Sequence, residues 1–190
     1  MNDTLEEKYA AIRETVLSST QSNPVKIALT AMEKDFVNIH GPEHHFLDGA
    51  AFLAAYHNAG GDIDLNAALD QIAERARQMP GAMCGYWGVC GSAASVGAAL
   101  SVIHGTSPLS TDEYYKDNLE FVSRVLAAMS KIGGARCCKR NAFLSLSAGA
   151  AFVHEKYGIP MQTEPIECPF SAQNKQCLGE KCPFHRSEKI

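Results

Sequence analysis

Apolar residues recur every three to four positions along most of the chain, as they do on one face of an α-helix. The pattern starts at Leu5–Leu17 and returns in six later segments that glycine, proline or polar residues separate. These later segments are residues 23–35, 46–61, 65–79, 90–105, 110–134 and 140–158. No run of residues alternates as a β-strand does. We therefore predict an all-α bundle of about seven helices, followed by a C-terminal metal-binding coil.

Residues suited to helix N-termini lie at the starts of several segments. Asn23 can cap the second helix, and Pro24 suits its first turn. Asn66 is the predicted cap of the fourth helix. Ser110 or Thr111 is the predicted start of the sixth, where the acidic residues that follow favour the positive end of a helix dipole.

Size and composition indicate an ordinary globular protein. The chain has 190 residues, of which 46% are hydrophobic and 20% charged, with a formal net charge of −4. We predict a helical domain over residues 1–160 and a cysteine-rich metal-binding tail over 161–190. No apolar stretch is long enough to span a membrane, and the charged N-terminus lacks the apolar core of a signal peptide. A cytoplasmic location without membrane partners is therefore expected.

The tail carries three of the seven cysteines and one histidine. They are Cys168, Cys177, Cys182 and His185, with the spacing C-x8-C-x4-C-x2-H. Such ligands suit tetrahedral zinc, and three cysteines with a further ligand can also hold a [4Fe–4S] cluster. The tail has few aliphatic residues to anchor it, so a bound metal would fix its fold. The alternative is that these are free thiols on a surface tail.

A second interpretation of the tail is a finger that binds single-stranded RNA. Its spacing resembles Cys-Cys-Cys-His fingers, although the last two intervals are each one residue shorter, and Phe170 and Phe184 are suited to stacking on bases. The tail has few basic residues, however, so nucleic acid is not the expected partner.

A glycine-rich segment, GAMCGYWGVCG, carries Cys84 and Cys90 around Trp87. Glycines permit close approach by a ligand, and Cys90 lies near a helix start, where the dipole lowers a thiol pKa. The following helix consists largely of small residues. Close packing of two helices is the alternative explanation for those residues, but it leaves the cysteines and the tryptophan unexplained.

A second cysteine pair, Cys137 and Cys138, follows two glycines at another predicted helix start. Arg136, Lys139 and Arg140 flank it, and we expect these cations to favour thiolates. Adjacent cysteines seldom bond to each other because the ring is strained. We therefore interpret the pair as two ligands of a metal or cluster, or as one ligand beside a reactive thiol. The alternative is that one cysteine belongs to the core and the other has no function.

The segment HGPEHH places His40, Glu43 and His44 near the start of the third helix. Neutral imidazole at a helix N-terminus is available as a metal ligand or base, and Glu43 is suited to orienting it. Helix capping with solvent exposure is the alternative.

We predict that these inner residues converge on one pocket. The expected catalytic residues are Cys84, Cys90, Cys137, Cys138, His40, Glu43 and His44. The expected cofactor-binding residues are Trp87, as an apolar wall, and Arg136, Lys139 and Arg140, which favour an anionic ligand or cluster. Zinc or a [4Fe–4S] cluster is the expected cofactor.

The motifs HGPEHH, PGAMCGYWGVCG, GGARCCKR and NKQCLGEKCPF together resemble domain of unknown function 5714. The resemblance covers the chain from about Asn38 to His185. It implies a shared site at the histidines, glutamate and cysteines of these motifs, and a family typical of anaerobic bacteria and archaea, with some members fused to radical-SAM modules. It implies no reaction. The name methyltransferase circulates for such proteins, but no glycine-rich strand–turn–helix supports it here.

Two functions follow as expectations. The first is a metalloprotein whose inner pocket suits redox, sulfur or one-carbon chemistry on a small molecule, with a radical-SAM enzyme as a possible partner. The alternative is a non-catalytic zinc-binding or RNA-binding module.

Overall fold

The helical prediction is confirmed. The computed structural model describes residues 3–185, and this part of the chain contains eight α-helices, two short 3₁₀-helices and no β-strand. The α-helices are α1 (Leu5–Leu17), α2 (Pro24–Met32), α3 (His44–Asn58), α4 (Leu65–Arg77), α5 (Met83–Tyr86), α6 (Gly91–His104), α7 (Glu113–Ile132) and α8 (Cys138–Tyr157). The 3₁₀-helices, Ser171–Gln173 and Gly179–Lys181, lie in the tail.

Local capping explains where several helices begin, and two predicted caps are wrong. Asn23 caps α2 as predicted, and Pro24 is its first residue. Helix α4 is capped by Asp64 instead of Asn66, because the Asp64 carboxylate accepts the backbone N–H of the third helical residue. Helix α7 is capped by Asp112, downstream of the predicted serine and threonine. In both cases a carboxylate satisfies N–H groups that the helix leaves unpaired.

Helix α3 forms the centre of the bundle. Residues 44–56 are all buried, and α3 packs against α1, α2, α4, α6 and α8. A helix that is apolar on every face is stable only when other elements surround it. The two His residues at its N-terminus and Asp48 in its second turn are therefore enclosed by protein.

Small residues allow α3 to approach its neighbours closely. The Gly49 N–H donates to Ser95 Oγ on α6 at 2.8 Å, and that hydroxyl donates to the His45 carbonyl at 2.6 Å. The ring of Phe52 lies against Gly149 of α8, where an added Cβ would come within 2.6 Å of the ring. This packing fixes the N-termini of α3, α6 and α8 relative to one another.

The sequence did not predict α5 or the way in which the tail packs. Helix α5 follows Ala82, whose φ of +63° is unusual for a residue with a side chain. In the tail, Met161 and Phe170 are buried in the same core as the helices, and the Gln162 N–H donates to the Ser22 carbonyl at 3.1 Å. Residues 161–185 are therefore anchored to the helical body at several points.

Among the described residues, no helix combines the length and the apolar character needed to cross a membrane.

Candidate functional site

The N-cap cysteine of α8 and three cysteines of the tail line a single small cavity. They are Cys137, Cys168, Cys177 and Cys182, and we call this space the four-cysteine cavity. Its volume is about 20 Å³, more than the ~10–15 Å³ that one water needs. All four thiols are free. The sequence grouped the three tail cysteines, but it assigned Cys137 to the inner pocket.

The loop before α8 brings Cys137 to the tail. Gly133 and Gly134 end α7 with positive φ angles of +63° and +77°, which glycine adopts without steric cost. Gly134 also lies against the tail, because a Cβ there would come within 2.6 Å of the Leu178 side chain. Cys137 then becomes the N-cap of α8 and faces the tail.

Tight turns in the tail direct the other three sulfurs into the same cavity. The Cys168 N–H donates to the Phe184 carbonyl at 2.7 Å, which joins the two ends of the cysteine-rich segment. Cys177 lies between the two 3₁₀-helices, and Cys182 directly follows the second. The tail thus wraps around the space that Cys137 enters from α8.

Several N–H groups donate to the sulfurs in this cavity. Cys137 Sγ accepts from the Arg140 N–H and from Asn174 Nδ2, both at 3.4 Å. Cys177 Sγ accepts from the Gly179 N–H at 3.4 Å. Such donors favour the thiolate over the thiol and tune the properties of metal-bound sulfur.

The expectation that the pKa values of Cys90, Cys137 and Cys138 are lowered is wrong. Burial raises the pKa of Cys90, Cys137 and Cys168 above the ordinary thiol value, and it raises that of Cys138 to about 12. A buried thiolate loses its hydration, and the nearby N–H groups and cations compensate for only part of that loss. A bound metal would supply the missing positive charge, because metals bind thiolate.

Lys139 places a cation beside the four-cysteine cavity rather than in the inner pocket. Its side chain is 1% exposed, and Nζ lies 4.5 Å from the centroid of the Phe170 ring. Nζ has no hydrogen-bond partner among the described residues, and burial lowers the Lys139 pKa to about 8. Arg140 lines the same cavity. Both residues are positioned to offset negative charge on a thiolate-bound centre.

The geometry for a single metal ion is incomplete. No three His, Cys, Asp or Glu side chains within residues 3–185 are arranged to hold one ion. His185 also lines the four-cysteine cavity, and its buried Nδ1 has no hydrogen-bond partner in this part of the chain. The tail metal site therefore stays a prediction, with His185 and Cys137 as alternative fourth ligands.

A larger cavity of about 300 Å³ lies on the other side of Cys137. We call it the histidine cavity. It is lined by seven of the residues predicted for the inner pocket: His40, His44, Cys84, Cys90, Arg136, Cys137 and Cys138. The structure thus brings both inner cysteine pairs and two of the motif histidines to one space.

Four predicted members of the inner pocket lie elsewhere: Lys139 and Arg140 line the four-cysteine cavity, and Glu43 and Trp87 line neither cavity. Glu43 is 1% exposed, and its carboxylate accepts the Asn38 N–H at 2.8 Å and lies 3.8 Å from Lys8 Nζ. It lines a surface cavity beside α1. Trp87 is 67% exposed and is not among the residues that line the histidine cavity, so it does not form an apolar wall there.

His40 connects the helical body to the tail. Its Nε2 lies 3.1 Å from Asn174 Oδ1 and 3.0 Å from Gln176 Oε1, and its Nδ1 accepts the Cys138 N–H at 3.4 Å. Both ring nitrogens are therefore occupied, which argues against the predicted role as a free ligand or base. Burial lowers the His40 pKa, which favours the neutral ring that this arrangement needs.

Asp48 and His45 also line the histidine cavity. Neither residue was among those predicted for the site. Asp48 is fully buried, and neither carboxylate oxygen has a hydrogen-bond partner among residues 3–185. His45 Nδ1 is likewise unpartnered, and so is Nδ1 of His44, which lies 3.9 Å from Asp48 Oδ1. The available signal was Asp48 itself, the one charged residue in the apolar run FLDGAAFLAAY.

The aromatic residues of the tail pack against the helical body. Phe170 is 6% exposed, and the partly buried Phe184 ring packs edge-on against Phe143 at a centroid distance of 5.5 Å. Phe170 is therefore not available to stack on bases, which weakens the RNA-binding alternative.

A family model described as "Family of unknown function (DUF5714)" matches residues 12–185. No curated protein and no solved structure matches the chain. The matched range contains all seven cysteines and every residue that lines the two cavities described above. It covers most of the chain, and the protein therefore belongs to the family of unknown function DUF5714.

Proposed function

We propose that this protein binds an iron–sulfur cluster in the four-cysteine cavity and uses the adjoining histidine cavity for redox or sulfur chemistry on a small molecule. The observation that carries the proposal is that Cys137, from the start of α8, completes a set of four cysteines with the three in the tail. Four cysteine thiolates are the usual ligand set of a [4Fe–4S] cluster.

Four thiolates on one zinc must all lie ~2.3 Å from the same point, and the described residues are not arranged in that way. In a cluster each thiolate binds a different iron, so the sulfurs lie further apart, and the cavity of about 20 Å³ would have to widen to admit the inorganic core. A structural zinc bound through the same cysteines is the alternative.

The surroundings suit a buried anionic centre. Phe170 and Phe184 line the cavity and limit access of water, while Lys139 and Arg140 bring positive charge to it. N–H donors already point at two of the sulfurs, on Cys137 and Cys177. Hydrogen bonds, burial and net charge are the factors by which a protein sets the reduction potential of a cluster.

The proposed link between cluster and reaction is the pair Cys137–Cys138. Cys137 lines both cavities, whereas Cys138 lines the histidine cavity. A small molecule in the histidine cavity would thus lie beside Cys138, whose neighbour in sequence is a cluster ligand. Electrons would then have a short path between the cluster and the molecule. An enzyme that partners the protein, of the radical-SAM class or another, would act through this cavity or its rim.

Wild-type protein purified without oxygen tests the proposal. We expect iron and acid-labile sulfide in equal amounts, with broad visible absorption that dithionite bleaches, as for a [4Fe–4S] cluster. One tightly bound zinc per chain, without iron or sulfide, would show that the cysteines hold a structural zinc ion and not a cluster. Protein that retains neither metal after anaerobic iron–sulfide reconstitution would contradict both.

A further inference from the structure

We infer that the histidine cavity binds one divalent transition-metal ion through His44 and Asp48, with the thiolates of Cys90 and Cys138 completing its ligands. This inference goes beyond the proposed function and does not depend on the cluster, since the two cavities use different residues except for the shared wall at Cys137.

Asp48 needs a positive partner that the described residues do not supply. Its side chain is 0% exposed, and neither oxygen accepts a hydrogen bond from the part of the chain that the structure describes. A buried carboxylate without partners costs several kcal/mol or more. The buried Lys139 is near enough to feel its charge, but Lys139 Nζ makes no hydrogen bond, so the two groups are not in contact.

The distance between His44 and Asp48 fits one ion. Zinc lies ~2.0–2.1 Å from a histidine nitrogen and ~2.0–2.2 Å from a carboxylate oxygen. The observed separation of 3.9 Å between His44 Nδ1 and Asp48 Oδ1 is shorter than the sum of those two bonds. A tetrahedral ion would hold the two atoms about 3.4 Å apart, so a small side-chain movement of about 0.5 Å would bring both into its coordination shell. The two residues are four apart on α3, so they share one face of the helix.

The tautomer of His44 also suits a metal ligand. Its Nε2 lies 3.1 Å from the carbonyl oxygen of Asn38. A carbonyl only accepts hydrogen bonds, so Nε2 carries the proton and Nδ1 presents a lone pair toward Asp48. A ligating histidine usually donates its other N–H to such a backbone carbonyl, which fixes the orientation of the ring.

The remaining ligands come from the starts of α6 and α8. Cys90 is the N-cap of α6 and Cys138 is the first residue of α8, and both line the histidine cavity. No third donor completes a metal-holding group among residues 3–185, so one or both thiols must rotate toward the ion. Nitrogen, oxygen and sulfur ligands together favour zinc or iron(II) over magnesium or calcium. The rest of the 300 Å³ leaves room for a water or a small substrate on the metal.

Zinc binding to the anaerobic wild-type protein tests the inference. We expect one equivalent of added zinc to bind, with a zinc K-edge EXAFS spectrum that shows mixed nitrogen or oxygen and sulfur ligands. Asp48→Asn and His44→Gln should each weaken zinc binding by more than about 100-fold. Loss of a residue that only contacts a metal ligand costs about 10–100-fold, whereas these two residues bind the ion directly in the proposed site. His57→Gln is the matched control, because His57 lies exposed near the other end of α3.

The outcomes separate this site from the four-cysteine cavity. Zinc with four sulfur ligands that is lost in Cys177→Ser, and retained in Asp48→Asn, would place the metal in the other cavity and overturn this inference. The inference would also be overturned if wild-type protein bound neither zinc nor iron(II) in the histidine cavity. Water alone would then fill that cavity. Asp48→Asn preserves the side-chain shape, and His44→Gln provides a second test should that variant fail to fold.

Discussion

Replacing Cys177 by Ser should remove most of the iron and sulfide from anaerobically purified protein, a loss of about 10-fold or more. Cys177 lies between the two 3₁₀-helices of the tail, and its sulfur lines the four-cysteine cavity. A serine hydroxyl is a much harder ligand than thiolate, so it does not replace the sulfur in binding iron. Iron and sulfide analysis with visible absorption provides the measurement.

Cys84→Ser is the matched control for that variant. Cys84 is a free cysteine on α5, and it lines the histidine cavity instead of the four-cysteine cavity. It should retain the iron of the wild type. Limited proteolysis gives a second readout, because loss of the centre should make the tail more sensitive to cleavage. Equal iron in Cys177→Ser and the wild type would exclude Cys177 as a ligand.

Replacing Phe52 by Ala should destabilise the fold by about 3–5 kcal/mol. Phe52 is fully buried on the central helix α3, and its ring lies directly against Gly149 of α8. Glycine has no side chain that can move into the space, so truncation leaves a cavity between the two helices. The loss is a large part of the ~5–15 kcal/mol that stabilises a typical domain.

Urea denaturation followed by circular dichroism measures this effect. Leu119→Ala on α7 is the control, because Leu119 is 60% exposed and its truncation should change stability by no more than about 0.5 kcal/mol. A similar shift in both variants would show that α3 does not organise the core as its burial indicates.

The sequence predicted the helices well because their signals are local. Asn23 and Pro24 mark the start of α2 within two residues. Capping residues and helical periodicity can be recognised in a short segment without knowing the rest of the chain. The same argument placed a cap at Asn66 when Asp64 provides it, because both residue types suit that role. Helix α5 was missed since its four residues are too few to show helical periodicity.

The candidate site was predicted only in part because its decisive contacts join distant segments. The spacing of the tail cysteines is visible in sequence, but their approach to Cys137 depends on how the loop at Gly134 meets Leu178. Asp48 was overlooked because it lies within an apolar helix, where only its lack of hydrogen-bond partners in the described structure distinguishes it.

Residues of one sequence motif were predicted to share one cavity, and for several side chains this was wrong. Glu43 and His44 are neighbours in sequence, yet they line different cavities, and so do Cys138 and Lys139. Successive residues of a helix point about 100° apart. Residues that form one motif can therefore serve two sites, and the sequence does not say which residue faces which cavity.

The central claim is that Cys137, and not its neighbour Cys138, joins the tail cysteines around one centre. The most direct test is the iron and sulfide content of Cys137→Ser and Cys138→Ser, purified anaerobically side by side. These adjacent residues share a helix start, so general damage to α8 should affect both variants alike. We expect Cys137→Ser to lose the cluster and Cys138→Ser to keep it. Retention of the metal in Cys137→Ser, together with its loss in His185→Ala, would contradict the claim and establish a centre held by the tail alone.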